Sequence, residues 1–382
     1  MSTFQFDICE LPAAVETLRL ELRRFFSTEL AALTPLERAA TWDGFDRDFS
    51  QKMAEQGWIG MTWPKRYGGH ERSALERYVV LEEALVAGAP VSAHWIADRQ
   101  SGPLLLRFGS EAQRELALPG IAKGELVFCI GMSEPDSGSD LASLRSPAKR
   151  SANGWILNGT KVWTTNAHKA DYMIGLFRTG SNDDNRRGGL SQFMIDMKTS
   201  GITVNPIVDL VGRKHFNEVV FNDVELSNDC LIGSEGEGWD QVTAELAYER
   251  SGPERYLSSI HTLLALIDCL KEDPRERAAV IIGELMANMM TLRTMSLSLA
   301  AMLDAGENPA LEAAVVKDLG TGFEQSLPDI AQLLIELEPD PGGATDIQQV
   351  QAFLIQAAPS FSLRGGTREI LRGIIARGLG LR

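Results

Sequence analysis

Two short runs carry the side chains best suited to chemistry. One reads Ser133-Glu134-Pro135-Asp136-Ser137-Gly138-Ser139-Asp140, and the other reads Asn158-Gly159-Thr160-Lys161-Val162-Trp163-Thr164-Thr165-Asn166. Hydroxyls and accessible backbone N–H groups suit a polar, planar ligand with many acceptors, and an indole offers such a ligand a face to stack on. Neither run is rich in metal ligands, and neither holds a nucleophile elbow. The chemistry they suit is the holding of a flat cofactor between strand ends, and a flavin fits that description. Read singly, Trp163 also fits a core aromatic, and the serines and threonines also fit turn formers, as the lesser alternatives.

Positioning such runs takes a large fold. The chain has 382 residues, 44% of them hydrophobic and 23% charged, which is ordinary globular composition and enough for two or three domains. A net charge of −15 argues against nucleic acid or an anionic membrane as partner, while leaving room for a local cation cluster that binds a small anion. Cys9, Cys129, Cys230 and Cys269 are widely spaced, which points to reduced thiols and a cytoplasmic protein rather than a disulfide frame or zinc site. No run approaches the roughly 18 apolar residues of a membrane span, and no leader-like segment opens the chain. His70, His94, His168, His215 and His261 show no ligand spacing, so no metal is assigned.

The texture changes twice along the chain. Leu11, Val15, Leu18, Leu22 and Phe25, and later Leu75, Tyr78, Val79, Leu81 and Leu85, recur at helical spacing on either side of a breaker-rich loop over 57–69. From about 125 to 233, short runs at 126–130, 155–157, 172–177, 193–195 and 218–221 alternate with Gly, Asn and Asp, as antiparallel strands do, with an exposed hairpin end over 182–189. Helical period then returns over about 239–271, 275–305, 309–337 and 346–358, with a last helix after Thr367. The expectation is an α+β multidomain chain: an N-terminal helical domain over 1–124, a middle antiparallel β-domain over 125–233, and a C-terminal four-helix bundle over 234–382.

This order of elements, with its motifs, resembles the acyl-CoA dehydrogenase family over nearly the whole chain. The matching segments are Trp63-Pro64 with Tyr67-Gly68-Gly69, Glu82-Glu83, Ser133-Glu134-Pro135 with Gly138-Ser139-Asp140, and Asn158-Gly159-x-Lys161-x-Trp163. Asn217-Glu218-Val219 with Phe221-x-Asp223-Val224, Gly233-x-x-Gly236-x-Gly238-Trp239, and Gly366-Thr367-Arg368-Glu369-Ile370-Leu371-Arg372 continue the match. The resemblance implies FAD-dependent α,β-dehydrogenation of an acyl-CoA thioester: a base takes the α-proton and the flavin takes the β-hydride. It places flavin contacts at Ile130, Met132 and Ser133, covers one flavin face with Trp163, and sets Thr165 near the hydride-accepting nitrogen. Ser139 would lie between cofactor and substrate, and Thr367 and Glu369 would add cofactor contacts. Tyr248, Arg250, Gly365 and Gly366 would meet the substrate.

The usual catalytic Glu of the family stands two residues before the C-terminal Thr, where this chain has Gly365. A minority of the family places its Glu just before an Arg on the helix after the β-domain. Glu249-Arg250 matches that position, so Glu249 is the expected base and Gly365 the space that admits it. The Gly365 N–H would still donate to the thioester oxygen. Glu245, one turn earlier on the same face, is the second choice, and on its own Glu249 also reads as a solvated helix position. Gly252-Pro253 predicts a bend or non-α turn within 249–253, because proline removes a hydrogen bond to the carbonyl four residues back.

Two family motifs are degraded. Ala278-Ala279 follows Arg275 where Arg-x-x-Phe-Gly is usual, and Glu338 stands where Gln-x-x-Gly-Gly begins. In homotetramers of the family these groups hold a neighbour's FAD pyrophosphate and adenosine, and a carboxylate there repels phosphate. The resemblance is therefore to the base-carrying subunit of bacterial heterotetrameric (α2β2), steroid side-chain acyl-CoA dehydrogenases. It implies a second acyl-CoA dehydrogenase-like subunit with intact motifs, and electron-transfer flavoprotein as acceptor. An acyl-CoA oxidase and a non-catalytic partner subunit are the alternatives. The Gly154-x-x-x-x-Gly159-Thr160-Lys161 stretch is not a P-loop, because Thr and Lys stand in the wrong order on a predicted hairpin.

Overall fold

The structure, a computed structural model, describes residues 4–180, 186–250, 252–271 and 275–381, with the side chains of 246–249 set aside. Six helices precede the strands: α1 Ala14–Glu29, α2 Pro35–Ala39, α3 Arg47–Glu55, α4 Ala74–Ala87, α5 Gly102–Phe108 and α6 Glu111–Ala122. Then come β1 Phe128–Gly131, β2 Ala148–Arg150, β3 Gly154–Thr165, β4 Tyr172–Arg178, β5 Leu190–Asp196, β6 Ile202–Ile207 and β7 Phe216–Ser227. The chain closes with α7 Gly238–Glu249, α8 Ile260–Leu270, α9 Glu276–Asp304, α10 Ala310–Leu334, α11 Asp346–Ala357 and α12 Arg368–Gly378. No described helix is long and apolar enough to cross a membrane.

Local chemistry sets several of these ends. Ser73 and Glu76 form a capping box that starts α4, and Gly88 stops it at a φ of 75°. The same box, Thr34 with Glu37, starts α2, with Pro35 at the first turn, where its missing N–H costs nothing. The 97–101 segment before α5 is a fully buried π-turn.

The residues fall into two compact units, one of 1–45, 72–92 and 247–382, the other of 46–71 and 93–246. The first is helical. Within it α1 packs on α4, α4 on α9, and α8, α9, α10 and α11 pack among themselves. Leu266, Leu270, Ala278, Ala331, Leu334 and Ile347 form part of that core. Charged side chains also run through it: Arg19 and Arg23 on α1 pair with Glu83 on α4, and Arg293 on α9 pairs with Glu82 at 2.6 Å.

The second unit holds both sheets, ordered β1-β4-β5 and β2-β3-β7-β6. All pairs are antiparallel except β1 with β4, which run parallel. Alternation puts Trp155, Phe177, Phe193 and Phe221 into one core, with edge-on ring pairs at 5.1–6.1 Å. Sequence reading found the strands that carry such residues. It missed β2, which is three residues long, and β6, where exposed positions alternate with half-buried ones.

Candidate active site

The residues expected to act together fall in both units, and each set is built within its own. In the sheet-bearing unit the two hydroxyl-rich runs meet. Val162 N–H donates to the Ser133 carbonyl at 2.9 Å, joining β3 to the segment that follows β1. Beneath this link lies an ion pair. Lys161 Nζ, fully buried, donates to Glu134 Oε1 at 2.8 Å and to the Met132 carbonyl at 3.3 Å, and faces the Phe177 ring at 4.7 Å. Glu134 also accepts the backbone N–H groups of Arg145 at 2.7 Å and Ser146 at 3.0 Å. Burial disfavours the Glu134 carboxylate, but Lys161 and these donors outweigh it and hold its pKa below the usual carboxylate range. Burial pushes Lys161 down to about 8 against the pull of Glu134. The pair fixes residues 132–134 against β3.

Trp163 is turned out of the strand. The β3–β7 register slips between Lys161 and Thr164, and in that slip Trp163 takes a φ of 60°. A residue in a bulge leaves the in–out alternation, so its side chain can be re-aimed. Here the indole is 60% exposed, edge-on to Phe216 at 6.1 Å, while Thr164 beside it is buried. Left-handed backbone at a bulky residue is strained, and such strain concentrates at functional sites. Asn217 on β7 holds the slip in place: its Nδ2 donates to the Thr164 carbonyl at 2.9 Å, and its Oδ1 meets His168 Nδ1 at 2.8 Å. The Asn217 motif gave no hint of this role in sequence. Its signal was only the company of the Trp163 motif.

Ile130, Met132 and Ser133 are half-buried, as is Thr165, and Ser139 is exposed in the loop after β1. Neither the Ser133 nor the Thr165 hydroxyl bonds to another described residue. In that loop Ser137 and Ser143 both donate to the Asp140 carbonyl, at 2.8 and 2.7 Å. Hydroxyls without a partner among the described residues, in runs that carry an outward-facing indole, suit a flat ligand with acceptors along its edge. Glu245 belongs to the interior of this unit: it is 3% exposed, and the buried Gln192 amide on β5 donates to it at 3.4 Å.

In the helical unit, α7 stops at Glu249, and the chain re-enters a helical turn only at Pro253–Arg255, after Gly252 in extended conformation. The predicted interruption is therefore a full stop of the helix; Ser251 lies outside the described residues, as do the side chains of Tyr248 and Glu249. Arg250, next in sequence to Glu249, is buried, and its Nε donates to the Gly365 carbonyl at 2.8 Å. Gly365 and Gly366 have φ of 65° and 99°, conformations open to glycine and strained for other residues. Lys317 on α10 donates to the Gly366 carbonyl at 2.9 Å. Thr367 then caps α12, and its hydroxyl helps hold Glu369 below the usual carboxylate range, after the Glu369 backbone N–H. Arg250, Gly365, Gly366, Thr367 and Glu369 are thus brought together. Sequence reading missed Lys317 and the buried group behind the turn, where Arg364 sits over the Trp42 and Phe361 rings and faces Glu324 at 3.6 Å.

Residues 13–125 match the N-terminal domain, and residues 129–224 the middle domain, of the acyl-CoA dehydrogenases. Acyl-CoA dehydrogenase FadE29 of Mycobacterium tuberculosis is 31% identical over 375 residues, 94% of each chain. Acyl-CoA dehydrogenase IpdE1 of the same organism is 33% identical over 346 residues, 88% of each. Among solved structures, a chain of the Tcur3481-Tcur3483 steroid ACAD aligns with a TM-score of 0.85 and 27% identity, covering 98% of both chains. A chain of the ChsE4-ChsE5 complex from Mycobacterium tuberculosis aligns with a TM-score of 0.85 and 28% identity, covering 98% of this chain and 99% of that one.

Proposed function

The chain belongs to the acyl-CoA dehydrogenase family, and we propose that it is the base-bearing subunit of a heteromeric enzyme that desaturates a bulky, steroid-type acyl-CoA thioester with FAD. One observation carries the assignment of the base. The Arg250–Gly365 hydrogen bond ties the end of α7, where Glu249 stands, to the turn that in most of the family bears the catalytic carboxylate. A base on α7 thus serves the place that Gly365 leaves vacant.

The roles follow from the chemistry. The α-proton of a thioester is weakly acidic, so its removal needs a carboxylate on one side and a donor that stabilises charge on the carbonyl oxygen. Glu249 takes the proton. The Gly365 N–H faces the thioester oxygen. When bound, FAD supplies a hydride acceptor. Trp163 offers the indole face against which the flavin ring is held, Thr165 and Ser133 offer hydroxyls to its edge, and Ile130 and Met132 line it. Ser139 serves cofactor or substrate, and Thr367 and Glu369 hold the cofactor from the start of α12. Tyr248, Arg250 and Gly366 complete the substrate side.

The steroid-type substrate and the second subunit rest on similarity together with the altered motifs. One solved relative is a steroid ACAD and the other a complex of ChsE4 with ChsE5. Here Ala278 is buried in the bundle core, and Glu338 is exposed at the position of the usual Gln. A partner subunit with both motifs intact, and electron-transfer flavoprotein as the acceptor, complete the reading. The test is Glu249→Gln in the assembled, flavin-loaded complex. Turnover should fall by roughly 10²–10⁴-fold with flavin content unchanged; wild-type turnover would overturn the assignment.

A further inference from the structure

Two adjacent glycines give a turn no side chain to pack. The backbone of Gly365 and Gly366 can be held only through its own polar groups, and both carbonyls are taken by cations. Arg250 Nε reaches the first at 2.8 Å and Lys317 Nζ the second at 2.9 Å. The residue before them is held as well: Arg364 lies over the Trp42 ring at 4.5 Å and the Phe361 ring at 4.1 Å, and donates to Ser258 Oγ at 3.1 Å. After them, Arg368 bonds to Asp318, which follows Lys317 on α10, at 2.7 Å.

Lys317 stands out in this arrangement. It is fully buried on α10. A lysine ammonium is strongly hydrated and costly to bury, so a core helix would more readily carry Leu or Met there. One bond it makes goes to a backbone carbonyl, at a turn of two glycines in left-handed conformation. In a trans peptide the carbonyl and the following N–H point in opposite directions. Fixing the Gly365 and Gly366 carbonyls therefore fixes the two peptide planes after Gly365. With the Arg364 side chain anchored on the other side, the peptide that carries the Gly365 N–H is held between two fixed points.

We propose that Lys317 is a positioning residue for the dehydrogenation: through the Gly366 carbonyl, and together with Arg250, it aims the Gly365 N–H at the thioester oxygen. The inference rests on the reading of Gly365 given above. It assigns Lys317 no contact with substrate or cofactor.

The test compares Lys317→Met and Lys317→Arg in the assembled, flavin-loaded complex, with Glu249→Gln alongside. Lys317→Met should lower kcat on the order of 10- to 100-fold with KM changed little, as expected when a donor is misplaced by about an ångström. It should also raise the apparent pKa at which a bound acyl-CoA analogue with an acidic α-proton ionises, read from the flavin absorbance. Lys317→Arg, which keeps a donor, should recover a large part of both. Three results would overturn the proposal: unchanged kcat in Lys317→Met, an unchanged ionisation pKa, or a loss that only follows lost flavin and melting temperature and that Lys317→Arg does not rescue. If Glu249→Gln retains full activity, the underlying reading fails instead, whatever Lys317 does.

Discussion

Trp163 shows how far residue types reach and where they stop. Its neighbours in sequence suggested a flat ligand, but only the slip in β3–β7 register explains why an indole on a β-strand faces outward at 60% exposure. Replacing it with glycine separates its two roles. Release from left-handed backbone is worth about 1–2 kcal/mol, and loss of the edge-on contact with Phe216 costs about 0.5–1.5 kcal/mol. The flavin-free Trp163→Gly protein should therefore unfold within about 1 kcal/mol of wild type, while the flavin content of the complex drops. A large loss of stability in denaturant titration would show that the indole is mainly structural. Glu249 lay beyond spacing alone, since a Glu beside an Arg on a helix is common. The missing carboxylate at Gly365, together with the match of Glu249-Arg250 to the family's alternative position, is what makes it the expected base.

At the scale of elements, the buried Lys161–Glu134 pair welds β3 to the segment after β1. Lys161→Met would leave Glu134 buried without its cation and should cost about 3–5 kcal/mol. Adding Glu134→Gln should recover at least half, because the amide oxygen still accepts backbone N–H groups from Arg145 and Ser146. The pair also sets a pH dependence. The folded pKa of Glu134 lies below its ordinary 4.5, so its contribution is complete above that value and is lost as pH falls through the folded one. The stability gap between wild type and Glu134→Gln should therefore narrow on acidification below about 4.5, as chemical denaturation at several pH values would show. Lys161 also makes stability rise with pH, but in an alkaline window and by losing a penalty. With a folded pKa of about 8 against 10.5, its unfavourable contribution fades as pH rises through that window.

The helices from α9 onward were legible because their apolar stripes run long, and α9 begins and ends within a residue of the sequence estimate. The stop at Glu249 was legible only as a bend. Pro253 identifies the trouble, but whether a helix kinks or ends there depends on the core contacts available beyond it. Tyr256 and Leu257, just beyond it, are both buried.

For the whole molecule, the prediction concerns stoichiometry. The chain purified alone should hold well under one FAD, and co-expression with a subunit carrying Arg-x-x-Phe-Gly and Gln-x-x-Gly-Gly should give an α2β2 particle with two. Light scattering combined with flavin absorbance checks both, and a homotetramer with four FAD would refute the heteromeric reading. The proposed partner is suggested in sequence only by a deficit at Ala278-Ala279 and Glu338; the acyl group is not visible there at all, because pocket width is set by how helices pack. The threading of the chain was hidden too. The helical unit is assembled from 1–45, 72–92 and 247–382, a division that no change in composition marks.

That threading has a consequence during synthesis. Every residue of the sheet-bearing unit has been made once Leu246 leaves the ribosome, so the bulge, the buried pair and both sheets can form while translation continues. The helical unit has no such option. Its first segments, α1 and α4 with their arginines and glutamates, must wait in an unfinished state until α8 and α9 emerge to pack on α4, which leaves the N-terminal helices a target for chaperones in the meantime.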